Sequence, residues 1–300
     1  MEDIINRIKA LKKDKNAVIL VHNYQLPEIQ DVADHVGDSL GLSIEASKTK
    51  AEMIVFCGVH FMAETAAIIC PDKKVIVPDV NAGCPMANMI NAEGVKKLKA
   101  EHPGHIVVAY INTTAEVKAE SDYCCTSANA VKVVEKLMDK DIIFIPDKYL
   151  GDYVSKQTGK KMVLFDGYCP IHMMILPEHV KNAKQEHPNA VVIVHPECLP
   201  EVKALADKVL STGGMITFAK GSPSKEFIIG TETGIIYRLQ KENPSKKFYP
   251  ADTLAVCKNM KKTTIDKLLR SLENEEIRVM VPEAVASRAK LSIDRMLKLV

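Results

Sequence analysis

Val18-Ile19-Leu20-Val21-His22-Asn23-Tyr24, Val107-Val108-Ala109-Tyr110-Ile111-Asn112 and Val192-Ile193-Val194-His195-Pro196-Glu197 are three versions of one stretch, a short apolar run that breaks off into polar residues. Runs of this length and β-branched content read as parallel strands buried on both faces. Tyr110 follows His22 by 88 residues and His195 follows Tyr110 by 85, and a fixed period signals repeated structural units. Seventeen residues after each comes a hydroxyl, at Ser39, Ser127 and Thr212, where a short second strand is predicted to end. The thiols keep the same period: Cys84 lies 62 residues after His22, Cys169 lies 59 after Tyr110, and Cys257 lies 62 after His195. Cys57, Cys70, Cys124, Cys125 and Cys198 have no thiol counterparts in the other units, so the repeat separates three cysteines from five.

Helical and strand patterns alternate around these stretches. Ile4, Ile5, Ile8 and Leu11 share one face of a helix before the strand Ala17–Val21. The alternation continues through helix Ala92–Glu101, strand Ile106–Ala109, helix Ala128–Met138, strand Ile142–Ile145, helix Gly151–Gln157 and strand Met162–Phe165. Such alternation predicts an α/β chain with parallel sheets. Three similar α/β/α domains, each with a small four-stranded parallel sheet, are expected around a pseudo-threefold axis, over residues 1–87, 88–174 and 175–262. The remaining 263–300 reads as helix Thr263–Leu272, strand Ile277–Val281 and helix Glu283–Leu299 packing back on the core.

The composition is that of an ordinary globular protein, 47% hydrophobic and 26% charged. Forty basic residues nearly match 38 acidic ones, so a net charge of +2 makes no electrostatic case for nucleic acid. The longest apolar runs, such as Ala190-Val191-Val192-Ile193-Val194, are far too short to span a membrane. The N-terminus has acids where a signal peptide has basic residues, and a cytoplasmic location is expected. The cytosol keeps thiols reduced, so the eight cysteines are not a disulfide framework. No C-x-x-C pair is present either.

Ligands of open parallel sheets bind beyond the carboxyl ends of the strands. All three polar strand ends, three hydroxyls and three cysteines lie at such ends, and a threefold arrangement directs them to one cavity. One metal centre with a thiolate from each unit is the economical inference; buried core thiols are the alternative. Structural zinc usually has four ligands in paired local knuckles. Three distant thiolates with an open fourth position suit a 4Fe–4S cluster, although spacing alone does not separate the cluster from zinc. Ser39, Ser127 and Thr212 also have the simpler reading of helix caps. Lys261-Lys262 reads as a solvated face, and Cys198 as a packing residue.

The chain resembles the quinolinate synthase family. The matching stretches are His22-Asn23-Tyr24-Gln25, Gly37-Asp38-Ser39-Leu40, Phe61-Met62-Ala63-Glu64, Cys84-Pro85-Met86-Ala87-Asn88, Thr126-Ser127-Ala128-Asn129-Ala130, Cys169-Pro170-Ile171-His172, His195-Pro196-Glu197-Cys198, Ser211-Thr212-Gly213-Gly214-Met215 and Cys257-Lys258-Asn259-Met260-Lys261. They run in family order across nearly the whole chain. The resemblance implies condensation of iminoaspartate with dihydroxyacetone phosphate to quinolinate, with loss of phosphate and two waters, in NAD biosynthesis. It implies one 4Fe–4S cluster on Cys84, Cys169 and Cys257 with one open iron site. It also implies functional coupling to an enzyme that produces iminoaspartate.

Carried over residue by residue, His22 and His195 hold substrate carboxylates. Tyr24 and Glu197 do acid–base work alongside Tyr110 and His172, while Ser39, Asn112, Ser127 and Thr212 bind carboxylate and phosphate. Ser127 is expected to open the helix at Ala128, whose N-terminal amides favour an anion. Ile111-Asn112-Thr113-Thr114 has Thr where many relatives carry Ser, and His60 stands where an acidic residue is common, so His60 receives no role. A zinc-dependent aldolase-type enzyme and a non-catalytic small-anion binding protein are the competing expectations.

Overall fold

The structure, a computed structural model, describes residues 2–299; Met1 and Val300, at the ends of the first and last predicted segments, lie outside the described residues. The first third runs α1 (Glu2–Asp14), β1 (Ala17–His22), α2 (Pro27–Asp31), β2 (His35–Gly37), α3 (Ser39–Lys48), β3 (Met53–Cys57), α4 (His60–Ile69) and β4 (Lys74–Ile76). The second repeats it with α5 (Ala92–Glu101), β5 (Ile106–Tyr110), α6 (Ala115–Ala119), β6 (Tyr123–Cys125), α7 (Ala130–Glu135), β7 (Ile142–Ile145), α8 (Lys148–Thr158) and β8 (Val163–Leu164). After a short α9 (Pro170–Met174), the third follows as α10 (Pro177–Glu186), β9 (Val191–Val194), α11 (Pro200–Ala204), β10 (Lys208–Val209), α12 (Thr212–Gly221), β11 (Glu226–Gly230), α13 (Ile235–Glu242) and β12 (Lys247–Pro250). The chain ends with α14 (Ile265–Asn274) and α15 (Glu283–Leu297).

The three parallel sheets have the same strand order, β2-β1-β3-β4, β6-β5-β7-β8 and β10-β9-β11-β12, as expected for three similar α/β units. A further repeat supports each first crossover. The carboxylates of Asp34, Asp122 and Asp207 each accept, at 2.8 Å, the N–H of a residue in the unit's first strand: Ile19, Val107 and Val192. These acids keep the same 88- and 85-residue period.

Both faces of every sheet are apolar, but they are buried differently. Leu20, Ile54 and Phe56, Val108 and Phe144, and Ile193, Phe227 and Ile229 belong to one core shared by the three units. The alternating residues Ile19, Val21 and Val55 face a separate layer with Ile8 of α1 and Ile265, Leu268 and Leu272 of α14. Val107, Ala109 and Ile143 face a second outer layer, and Val192, Val194 and Ile228 a third. Side chains alternate along a strand with a period of two. His22, Tyr110 and His195 therefore continue the shared inner face, because they lie two residues beyond Leu20, Val108 and Ile193.

The predicted strand Ile277–Val281 is corrected. It makes one isolated antiparallel bridge, Ile76 with Arg278, at the edge of the first sheet. Ile277 has φ +60°, a left-handed conformation that interrupts an extended run and is costly for a β-branched residue. α15 continues onto the second unit, where Ser292 Oγ donates to the Lys118 carbonyl at 2.9 Å and Arg295 to that of Asp122 at 2.7 Å.

Glu275, just beyond α14, ties the first unit's edge together by pairing with Lys15 at 2.6 Å and with Lys74. Hydrogen bonds from these two lysines hold its carboxyl down to about 2. A depressed carboxylate stabilises the fold above its unfolded pKa, about 4.3, and loses that contribution as pH falls through the folded value. Glu275→Gln is accordingly expected to melt a few degrees below wild type at pH 7. The difference should close between about pH 4 and about pH 2, as followed by thermal unfolding across that range.

Candidate active site

The carboxyl ends of the three sheets open into one cavity of about 550 Å³. Its lining includes all three strand-end groups His22, Tyr110 and His195, all three hydroxyls Ser39, Ser127 and Thr212, and all three cysteines Cys84, Cys169 and Cys257. Tyr24, Asn112, His172 and Glu197 complete the set read from the sequence. The volume lies in the range of small-molecule sites. Asn112 Oδ1 is buried with no hydrogen-bond partner, an unused acceptor on this wall.

Two imidazoles are held in the same way. His22 Nδ1 accepts the N–H of Tyr24 at 3.2 Å, and His195 Nδ1 that of Glu197 at 3.3 Å. Accepting at Nδ1 assigns the proton of the neutral ring to Nε2. Burial keeps both rings neutral by lowering each pKa to about 3, helped at His22 by the charge of Lys261 and opposed at both by Glu197. His195 Nε2 lies 3.2 Å from Ser127 Oγ.

Ser39 and Thr212 are not the caps of their helices. The cap is one residue earlier in each case: Asp38 accepts from Gly41 N at 2.8 Å and Ser211 from Gly214 N at 3.1 Å. Thr212 Oγ1 instead accepts from Asn23 Nδ2 at 2.9 Å, joining the first and third units. Ser127 departs from expectation. α7 begins only at Ala130, because Asn129 Oδ1 turns back to accept the Thr126 N–H at 2.7 Å. Ser127 thus sits in a turn and not at the mouth of a helix.

A chain of hydrogen bonds and one close ion-pair contact crosses the cavity wall. Tyr24 Oη lies 2.6 Å from Thr231 Oγ1, which lies 2.7 Å from His172 Nε2. His172 Nδ1 is 2.8 Å from Glu197 Oε2, and Tyr110 Oη donates to Glu197 Oε1 at 2.5 Å. With the ring proton on Nδ1, which faces the carboxylate without a well-aligned hydrogen bond, Thr231 donates to Nε2 and Tyr24 donates to Thr231. Burial pushes the Glu197 carboxyl up, but the imidazoles of His172 and His195 and the bond from Tyr110 outweigh it and hold it ionised. Burial and that negative charge push both phenols, Tyr24 and Tyr110, well above the ordinary tyrosine value. His195 stacks on His172 with ring centroids 4.6 Å apart.

The cysteines divide as the repeat divides them: Cys84, Cys169 and Cys257 are partly exposed, and the other five are buried. Burial pushes all three thiols up, Cys84 to about 12. Opposing it is the backbone N–H three residues on, of Ala87, His172 and Met260 respectively. Backbone donors aimed at sulfur favour a thiolate, so this donor set fits a thiolate-held centre. Cys169, His172 and Glu197 also bring ligand atoms within 4.8 Å of one another, a group able to hold a metal ion.

The quinolinate synthetase A protein (NadA) family model matches residues 6–298. The chain belongs to this family. It is 57% identical over 299 residues to a quinolinate synthase of Dehalococcoides mccartyi (strain CBDB1), covering 100% of this chain and 99% of that protein. It is 54% identical to a quinolinate synthase of Methanosarcina barkeri (98% and 97% covered), and 52% identical to one of Desulforudis audaxviator (99% of each).

For this member of the quinolinate synthetase A family, the structure adds three residues that the sequence did not reveal. Thr231 lies one residue, and Asp147 and Glu232 two residues, past the third strand of their units, where the first unit has Gly58 and Val59, neither of which carries a polar side chain. Lys261 is also corrected. Its Nζ is 2.9 Å from Glu232 Oε1 and donates to the Tyr24 carbonyl, so it is an internal tie and not a solvated face. Cys198 packs as expected, its thiol donating to the Gly230 carbonyl at 3.3 Å. No helix among the described residues is long and apolar enough to cross a membrane.

Proposed function

We propose that the protein is a quinolinate synthase, condensing iminoaspartate with dihydroxyacetone phosphate to quinolinate with loss of phosphate and two waters. The observation that carries this is the convergence of three repeat-related triplets on one cavity, with the matching thiols being the three that are not buried. In this reading each third of the chain, 1–87, 88–174 and 175–262, supplies one cysteine, one strand-end group and one hydroxyl. Cys84, Cys169 and Cys257 hold a 4Fe–4S cluster. A single tetrahedral ion with bonds of about 2.3 Å to sulfur needs its sulfurs about 4 Å apart. Among the described residues, the three thiols do not form a group within 4.8 Å, which favours the larger centre over zinc. Such a cluster supplies an open iron that acts as a Lewis acid toward a leaving hydroxyl.

The chain's own residues bind and move protons. His22 and His195 present Nε2–H to substrate carboxylates. Ser39, Asn112, Ser127 and Thr212 hydrogen-bond carboxylate and phosphate oxygens. Tyr24 and Tyr110, kept protonated, donate protons to oxygens that become leaving groups or anions. Glu197, kept ionised, is the acceptor of a proton that moves toward it through Thr231 and His172. We place the reaction in the cytoplasm, coupled to an enzyme that makes iminoaspartate. The test is anaerobic purification with iron and sulfide analysis, followed by an assay for quinolinate from the two substrates. Iron-loaded protein that forms quinolinate is expected. A colourless, iron-free protein under strict anaerobiosis would sink the cluster, and an iron-loaded one that forms no quinolinate would sink the reaction.

A further inference from the structure

The three cysteine loops share one tie and differ in another. In each unit a backbone N–H beyond the third strand donates to the carbonyl two residues before the cysteine: His60 to Ala82 at 2.7 Å, Lys148 to Gly167 at 2.9 Å, and Thr233 to Ala255 at 3.0 Å. The residues just before those donors are Val59, Asp147 and Glu232. Asp147 is wholly buried; its Oδ1 accepts the Leu150 N–H at 2.7 Å, and its Oδ2 the N–H of Cys169 itself at 3.2 Å. Glu232, equally buried, accepts the Gly234 N–H on Oε2 at 2.8 Å and the N–H of Cys257 on Oε1 at 3.0 Å. Val59 leaves the Cys84 loop without such an anchor.

A buried polar group is costly unless it is hydrogen-bonded, and neither acid belongs to the chain from Tyr24 to Tyr110. For one of the two loops the close approach is also built in. In the Cys169 loop a Cβ on Gly167 would meet the Pro146 carbonyl at 2.3 Å. We propose that Asp147 and Glu232 are positioning residues that pin the backbones of Cys169 and Cys257, so that both thiolates are held ready for the metal centre. This rests on the cluster reading given above.

Two variants separate the anchor from a general structural role. Asp147→Ser keeps a helix-capping oxygen for Leu150 but has no second oxygen for Cys169. Glu232→Gln offers one acceptor oxygen to two N–H groups. Residues that orient metal ligands typically change metal retention by about 10- to 100-fold. Both variants, reconstituted anaerobically with iron and sulfide, are expected to lose visible absorbance to a chelator at least about 10-fold faster than wild type. In the metal-free proteins, amide exchange should rise in the peptide containing Cys169 for Asp147→Ser and in that containing Cys257 for Glu232→Gln, each in its own loop alone. Wild-type rates of cluster loss and exchange, with only a lowered melting temperature, would overturn the anchor and leave a helix cap. Wild-type protein that takes up no iron would overturn the cluster reading and the ligand half of this proposal, while exchange in the same metal-free protein still decides the anchoring half.

Discussion

Replacing Cys84, Cys169 or Cys257 by Ala is expected to leave a folded protein that reconstitutes to a small fraction of the wild-type iron and forms no measurable quinolinate. Each of these cysteines lies on a loop beyond a strand end and not within a sheet. Circular dichroism should therefore barely change, while iron and sulfide analysis falls in all three variants. Cys57→Ala is the contrasting case. Cys57 ends β3, is fully buried in the outer layer of the first unit, and pairs in register with Val21. Its loss should cost about 1 kcal/mol of stability, the common scale for a single substitution, and leave iron intact. Iron lost from Cys57→Ala and retained by Cys84→Ala would refute the ligand set. A single ion on Cys169, His172 and Glu197 would instead show itself by retention in Cys84→Ala and loss in His172→Gln.

The second large effect concerns proton movement. Thr231→Val nearly conserves shape at a site that is 1% exposed, yet it removes the hydroxyl that links Tyr24 to His172. Glu197→Gln removes the charge that His172 lies against and leaves one acceptor oxygen in place of two, to one of which Tyr110 now donates. A positioned acid or base contributes about 10²- to 10⁴-fold to a rate. We expect kcat to fall by about 10²-fold for Thr231→Val and about 10³-fold or more for Glu197→Gln. Iron content should remain at the wild-type level in both. Steady-state rates alongside iron analysis make the check; a Thr231→Val enzyme with unchanged kcat would show that Tyr24 works without the chain through Thr231.

Much of this site was readable because each unit repeats the same few groups in the same order. His22, Tyr110 and His195, the three hydroxyls and the three cysteines recur at one period, and that period needs no knowledge of side-chain direction. Asp34, Asp122 and Asp207 follow it too, and could have been found by the same comparison. Thr231, Asp147 and Glu232 could not, because their first-unit equivalents are Gly58 and Val59 and the two acids differ in length. Lys261 was misread for a related reason: a lysine after a polar loop is ordinarily solvated, and only the fold places the Tyr24 carbonyl and Glu232 at its end.

Alternation of strand and helix patterns together with the 88- and 85-residue spacing is a property of the chain alone, and it determined the three α/β units and which thiols form a set. The direction in which those units face each other is not. Leu20 and Ile19, or Val108 and Val107, are equally apolar, since both faces of a parallel sheet are buried. Only the tertiary structure decided that the face of Leu20, Val108 and Ile193 is the shared one. The physical reason is the period of two along a strand: it carries His22, Tyr110 and His195 inward with that face, where residues far apart in sequence become hydrogen-bond partners.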